Sequence, residues 1–193
     1  MACIDLRRIS LTLGGNRLFE DINLSIESGE KVALVGRNGS GKSTLLKVMA
    51  GVICLDAGVI SVRKGIRTAY LDQLVPRDIL GTIFDIVKSG IFPSPDRESE
   101  ADRKQLQQIE KTISQLGLDG GLIFNDLSAG LKRQVLLAKA IVGEPEILLL
   151  DEPTNHMDID AITRLEETLL RFRGAVVFVT HDRMFLQKLA SSP

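Results

Sequence analysis

Two runs of the chain are apolar at every position, Ile147-Leu148-Leu149-Leu150 and Ala175-Val176-Val177-Phe178-Val179. Such strands have no polar face and are expected to be covered on both sides. Segments with helical spacing stand between and beside them, at residues 131–142 and 161–172. A third apolar run, Lys31-Val32-Ala33-Leu34-Val35, leads into a glycine-rich stretch and then into a further helical segment that should stop near Ala50-Gly51. Strands alternating with helices in this way predict a mostly parallel sheet with helices on its faces. Ligands are then expected at the C-terminal ends of the strands.

The flanking regions read differently. Ile9-Ser10-Leu11-Thr12-Leu13 alternates apolar with polar before the turn Gly14-Gly15-Asn16, and residues 18–26 suggest a partner strand closed by Glu27-Ser28-Gly29-Glu30. Strand-like runs follow at residues 59–62 and 66–71. From about Pro76 the pattern turns helical, first at residues 79–87. After the breaker Phe92-Pro93-Ser94-Pro95 it resumes at 96–116, with Leu106, Ile109, Ile113 and Leu116 on one face and mixed charges on the other. The fold class expected is α/β. One domain spans 1–193, with a mostly parallel core formed by 1–75 and 131–193, an antiparallel β part at its N-terminal end, and a small helical lobe inserted at about 76–130.

Composition narrows the function without choosing it. The 193 residues carry 44% hydrophobic and 25% charged side chains, the balance of a globular domain with a proper core. A net charge of −1 gives no global attraction to polyanions, and 4% aromatics with no Trp offer little surface for stacking bases. No apolar run approaches the ~18 residues that a spanning helix needs, and residues 1–8 lack the apolar centre of a signal peptide. Cys3 and Cys54 form neither a ligand cluster nor a disulfide framework. A cytoplasmic setting is expected.

The chemistry sits at the strand ends. Gly36-Arg37-Asn38-Gly39-Ser40-Gly41-Lys42-Ser43-Thr44 carries the G-x-x-x-x-G-K-[ST] spacing between a strand and a helix, the pattern of a phosphate-binding loop and of P-loop NTPases. Its glycines let successive N–H groups converge on an anion at the start of the helix. Lys42 would reach the β- and γ-phosphates, and the Ser43 hydroxyl would sit on Mg²⁺. Asp151 and Glu152 end the first buried strand, where Asp151 suits a metal contact and Glu152 the polarisation of an attacking water. His181 ends the second, placed for a γ-phosphate, and Gln73 follows the strand-like run before the helical lobe.

With these residues in place the chain resembles an ATP-binding cassette (ABC) ATPase domain over almost its whole length. On that resemblance Gly36, Asn38, Gly39, Ser40, Gly41, Lys42, Ser43 and Thr44 form the phosphate loop, and Gln73 is the Q-loop glutamine. Leu127-Ser128-Ala129-Gly130-Leu131 is the signature, residues 147–152 are Walker B, Asp158 ends the D-loop and His181 is the switch histidine. Asp151-Glu152-Pro153-Thr154-Asn155-His156-Met157-Asp158 and Thr180-His181-Asp182-Arg183 resemble the F subfamily, and Leu131-Lys132-Arg133-Gln134 its Uup-type branch. The family implies head-to-tail pairing with a second ABC cassette, each ATP lying between Lys42 of one and Ser128 and Gly130 of the other. Lys42, Glu152 and His181 would be catalytic, Ser43, Gln73 and Asp151 would serve Mg²⁺, and Asp158 would couple the two sites. The subfamily implies action on ribosomes or another nucleoprotein. The alternatives are the ATPase subunit of a membrane transporter and a nucleotide-binding module with little turnover.

The chain departs from the family pattern in four ways. Ala129 stands where glycine is usual and Leu131 where glutamine is common. No aromatic stands near Leu13-Gly14 to stack on adenine, so base contacts are expected to be weak or to be supplied by Phe19. The stretch between Gln73 and Ser128 leaves little room for a long inserted arm. The chain ends at Pro193, soon after His181, and is expected to be a short or truncated cassette.

Overall fold

The computed structural model of the chain describes residues 2–76, 78–92 and 99–190. At its centre is a four-stranded parallel sheet in the order β3 (Lys31–Leu34), β7 (Ala175–Val179), β6 (Ile147–Asp151), β5 (Thr68–Leu71). The two fully apolar runs are its inner strands. All their residues are buried, because helices or a second sheet cover both faces.

Side-chain alternation along β6 separates two cores. Ile147 and Leu149 face one way, with Ala175, Val177 and Val179 of β7, toward α1 (Lys42–Met49) and a second sheet. That sheet is antiparallel, in the order β2 (Asn16–Glu27), β1 (Ala2–Leu13), β4 (Ala57–Val62). Leu148 and Leu150 face the other way, with Val176 and Phe178, toward α2 (Ile83–Lys88), α3 (Ser99–Gln115), α4 (Ala129–Val142), α5 (Ile159–Arg171) and α6 (Arg183–Ala190).

The α/β class, the parallel sheet and the N-terminal antiparallel part are as the sequence predicts, with local differences. β1 and β2 run to 12 residues each, longer than their alternating stretches suggest, because irregular pairing at several points absorbs the breaks in alternation. α2 begins at Ile83, after the expected start at 79. Thr82 is its N-cap, accepting from Asp85 N, while the Asp85 carboxylate accepts from Thr82 N at 3.1 Å, a reciprocal cap that sets the first turn. Along α3 and just past its end, Ile109, Ile113 and Leu116 are buried as the spacing implies, but Leu106 is 43% exposed. The breaker at 93–95 and the helix start expected at 96–98 lie outside the described residues. α4 packs on α2 and α3 as well as on β5, so the three helices form one layer against the β5–β6 side of the sheet.

Candidate functional site

Parallel registry aligns the strand ends. Leu34 and Asp151 are both level with Val179, and Leu71 is level with Leu150. The residues just beyond those points are therefore neighbours: the loop before α1, Gln73, Glu152 and His181. They meet at a cleft of about 430 Å³. Asn38, Gly39, Gly41, Lys42, Ser43 and Thr44 form one wall, and Gln73, Glu152 and His181 contribute from the other strands.

The loop has the backbone the motif requires. Gly39 and Gly41 lie at φ 79° and 92°, and a Cβ at Gly41 would come within 2.7 Å of the Phe19 ring. Gly41 then caps α1, whose first N–H groups are left without partners in the helix and can serve an anion. Lys42 Nζ donates to the carbonyls of Gly36 and Arg37, at 3.0 Å each, and so lies over the loop.

At the floor of the cleft, Ser43 Oγ donates to Asp151 Oδ1 at 2.9 Å, while Oδ2 is buried and accepts nothing. Burial pushes the Asp151 carboxyl up. The Ser43 hydroxyl and Lys47 act in the opposite sense, and Asp72 adds to the rise. Among the described residues no three His, Cys, Asp or Glu side chains group as a metal cage. A hydroxyl and one carboxylate suit Mg²⁺, which takes one or two protein oxygens and completes its shell with phosphates and water. The donor set therefore fits the ion that the motif implies.

Glu152 is held by the end of the neighbouring strand. It lies in the left-handed region at φ 50°, its N–H donates to Val179 O at 2.9 Å, and its side chain is 7% exposed. His181 N donates to Glu152 Oε2 at 3.3 Å, and His181 Nε2 lies 3.3 Å from Oε1, with the imidazole 62% exposed toward the cleft. Backbone strain of this kind costs about 1–3 kcal/mol and persists where neighbours over-determine it. Here two strand ends fix a carboxylate beside an imidazole.

Ser128, Gly130 and Asp158 lie outside the cleft. Ser128 caps α4 and accepts from Leu131 N at 3.3 Å; Asp158 caps α5 and accepts from Ala161 N at 2.7 Å. A Cβ on Gly130 would stand 2.3 Å from His156 O, so the start of α4 and the turn before α5 form a single edge. Phe19 is not a stacking face: it is 4% exposed, in the core beneath Gly41. Leu18, its neighbour on β2, lines the cleft instead, as does Asn155; neither is an expected site residue, although Asn155 stands in the run that carries the subfamily resemblance. Strand alternation past the Gly14-Gly15 turn could have pointed to Leu18.

A wider cleft of about 850 Å³ opens at the opposite edge, below Phe172 and Gly174. Much of its charge is internally matched. Arg67 brackets Glu146, Arg171 pairs with Glu167 at 3.5 Å, and Gln108 donates to Glu144 at 3.2 Å. The loops with converging amides are at the other end of the sheet.

The family profile described as "ABC transporter" matches residues 19–155, most of the chain and most of the cleft. The chain belongs to that family. This ABC domain is 38% identical over 195 residues to the ATP-binding protein Uup of Buchnera aphidicola subsp. Acyrthosiphon pisum (strain APS), an alignment covering 99% of this chain and 32% of the relative. Uup of Haemophilus influenzae (strain ATCC 51907 / DSM 11121 / KW20 / Rd) is 38% identical over 221 residues, covering 99% of this chain and 34% of the relative. The chain thus spans about a third of the length of these curated relatives. An ATP-binding subunit of an ABC transporter superposes with TM-score 0.81 at 22% identity, covering 97% of this chain and 82% of that one. An inward-facing metal-chelate type ABC transporter gives 0.80 at 24%, covering 98% and 78%. These two likenesses establish the ABC ATPase fold. The expectation of a Uup-type ABC cassette is borne out.

Proposed function

We propose that this ABC domain binds ATP with Mg²⁺, hydrolyses it, and uses the cycle to pair head to tail with a second cassette as an F-type cytoplasmic factor acting on ribosomes or another nucleoprotein. The observation that carries the reading is the convergence of the Gly36–Thr44 loop, the Ser43–Asp151 pair and the Glu152–His181 pair on one cleft. In it, loop amides and Lys42 bind the phosphates; Ser43, Gln73 and Asp151 would hold Mg²⁺, which would supply charge to offset that of the phosphates. Glu152 accepts a proton from water as its oxygen bonds to the γ-phosphorus, and the bond to the β–γ bridging oxygen breaks to leave ADP and phosphate. His181 donates to the γ-phosphate oxygens as charge shifts. Ser128 and Gly130 present their edge to the partner's nucleotide, and Asp158, on that same edge, links the two sites. The ribosomal role rests on the likeness to Uup-type relatives and on the residues 151–158 and 180–183.

Light scattering of Glu152→Gln with and without Mg-ATP tests the core of this reading. The substitution removes the proton acceptor but keeps the site's shape. An ATP-dependent doubling of mass is expected, with turnover lowered by about 10²–10⁴. A protein that binds no nucleotide, or that turns over at the original rate, refutes it. Pelleting with ribosomes in ATP, beyond an ADP control, tests the ribosomal part.

One observation favours the transporter alternative. Leu74 and Leu80, flanking the segment after Gln73, are 75% and 80% exposed, an apolar pair open to a protein partner. Association with membranes through one integral protein would support that reading. Among the described residues no helix is long and apolar enough to cross a membrane itself.

A further inference from the structure

Among the described residues Arg133 heads the large fully buried side chains, 2% exposed, in a helix whose other charged residues reach solvent. It has no ion-pair partner within salt-bridge distance among the described residues, and it is spent on backbone. Nη1 donates to the carbonyls of Asp72 at 3.2 Å and Gln73 at 2.7 Å; Nη2 donates to the carbonyl of Asp151. One planar fork thus spans two separate segments, the turn after β5 and the end of β6. Those segments carry Gln73 and Asp151.

The fork sits in a polar pocket whose groups are not all satisfied. Arg133 Nε, Tyr70 Oη and Asp151 Oδ2 are all buried without hydrogen-bond partners. Burial pulls the Arg133 guanidinium down, opposed by Asp151, Glu152 and Asp72, and it pushes the Tyr70 hydroxyl well up. Lys47 approaches Asp72 at 3.5 Å from α1. A buried cation retained in such surroundings is costly unless its position matters. Arg133 also lies in the second turn of α4, about 7 Å along the helix from its cap Ser128. Any tilt of that end of α4 moves the guanidinium against both carbonyl sets.

We propose that Arg133 is a positioning residue that clamps the Gln73 turn to the end of β6 and so ties the magnesium side of the nucleotide site to the Ser128–Gly130 end of α4. The clamp holds the Gln73 and Asp151 backbones at a fixed separation. The side chains they carry then converge on one place without having to be ordered when nucleotide arrives. The proposal rests on the reading of Gln73 and Asp151 as magnesium-side residues, so its test includes a measurement that needs no nucleotide.

The test uses Arg133→Lys and Arg133→Met beside the unsubstituted chain. Lysine keeps the charge, but a single nitrogen cannot span the two segments; methionine keeps much of the bulk and loses every donor. Millisecond-labelling hydrogen exchange without nucleotide should show residues 72–75 exchanging about tenfold faster in Arg133→Lys, the factor that one charge-assisted hydrogen bond carries. The amides of β7 should be unchanged. Fluorescent ATP binding, titrated with Mg²⁺, should need about tenfold more Mg²⁺ for half-saturation, while affinity in EDTA stays within about twofold. Arg133→Met should exceed Arg133→Lys in both. Exchange at 72–75 equal to the unsubstituted chain overturns the clamp, whatever the protein binds. A loss of affinity that is the same with Mg²⁺ and with EDTA overturns its link to the metal side and leaves a packing role. If Arg133→Met does not fold, Arg133→Lys alone decides. If the unsubstituted chain binds no ATP, the functional reading fails and the exchange result still decides the clamp.

Discussion

At the scale of the residue, Asp151 shows how the site trades stability for chemistry. Its carboxylate is 1% exposed, and one oxygen is unpartnered. Its raised pKa means that the folded chain holds the proton more tightly than the unfolded chain does. The sign follows from linkage: between the ordinary carboxylate value and the raised one, the folded state binds more protons, so stability falls as pH rises through that window. The cost grows with pH across that window. Asp151→Asn keeps an oxygen for the Ser43 hydroxyl and removes the buried charge, so without ligand it should melt higher at pH 7. The expected gain is about 1 kcal/mol, or about 2–4 °C for a chain of this size, shrinking toward zero as pH falls below the carboxylate range. The same substitution should abolish the tightening of ATP binding by Mg²⁺. Scanning calorimetry across pH and a magnesium titration check the two halves, and a lower melting point at pH 7 would sink the first. Much of this site was legible in the sequence, because Lys42, Ser43, Asp151, Glu152 and His181 follow strands whose apolar runs announce them. Arg133 was not. A charged residue among Leu131, Lys132 and Gln134 reads as a solvated helix face, and only the three carbonyls it meets, from distant segments, explain its burial.

At the scale of the element, the helical layer depends on a close approach that the sequence pattern hides. Just past the end of α2, Gly90 meets α4 so tightly that a Cβ there would stand 2.0 Å from Lys139 O and 2.9 Å from Val142 Cγ1. Gly143 returns the contact, its Cβ position lying 2.7 Å from Gly90 O. Gly90→Ala must therefore push α2 off α4, and the obstructing carbonyl belongs to a helix that cannot yield locally. A loss of about 3 kcal/mol is expected, about 6–12 °C in melting temperature. Thr82→Ala, which removes only the reciprocal cap of α2, should cost about 1 kcal/mol, or about 2–4 °C. Denaturant or thermal melts rank the two, and an equal or reversed order would show that α2 is held by its cap more than by α4. Such a contact leaves two glycines in the sequence, indistinguishable from those that end a helix. The cap of α2 was open to reading, since Thr82 and Asp85 have the right spacing, yet the apolar residues Ile79 and Leu80 outweighed it. The buried strands β6 and β7 needed no such arbitration.

At the scale of the whole molecule, the residues that the proposed function assigns to the nucleotide stand on two edges of the domain. Lys42, Ser43, Glu152 and His181 stand at the cleft, while Ser128 and Gly130 stand on the edge shared with the turn before α5, outside the cleft. Head-to-tail pairing would bring one edge of each copy to the other edge of its partner, so each complete site would be built by two chains. This makes complementation the decisive experiment. Lys42→Ala lacks the phosphate contact but keeps the signature edge; Ser128→Arg blocks that edge but keeps Lys42. Each alone should show no ATP-dependent association and little hydrolysis. Mixed in equal amounts, the only pairs that form would contain one of each, and each such pair would hold one intact site out of two. Hydrolysis should therefore return to as much as about half of the unsubstituted rate, if sites act independently. Since Ser128 also caps α4, Ser128→Arg should melt about 1 kcal/mol less stably, and nucleotide binding by the isolated variant must be shown intact before the mixture is read. Recovery in the mixture assigns the second cassette to another copy of this chain. Its absence, with each variant folded and the Ser128→Arg form still binding ATP, assigns that place to a different cassette, as in a chain where two unlike domains face one another.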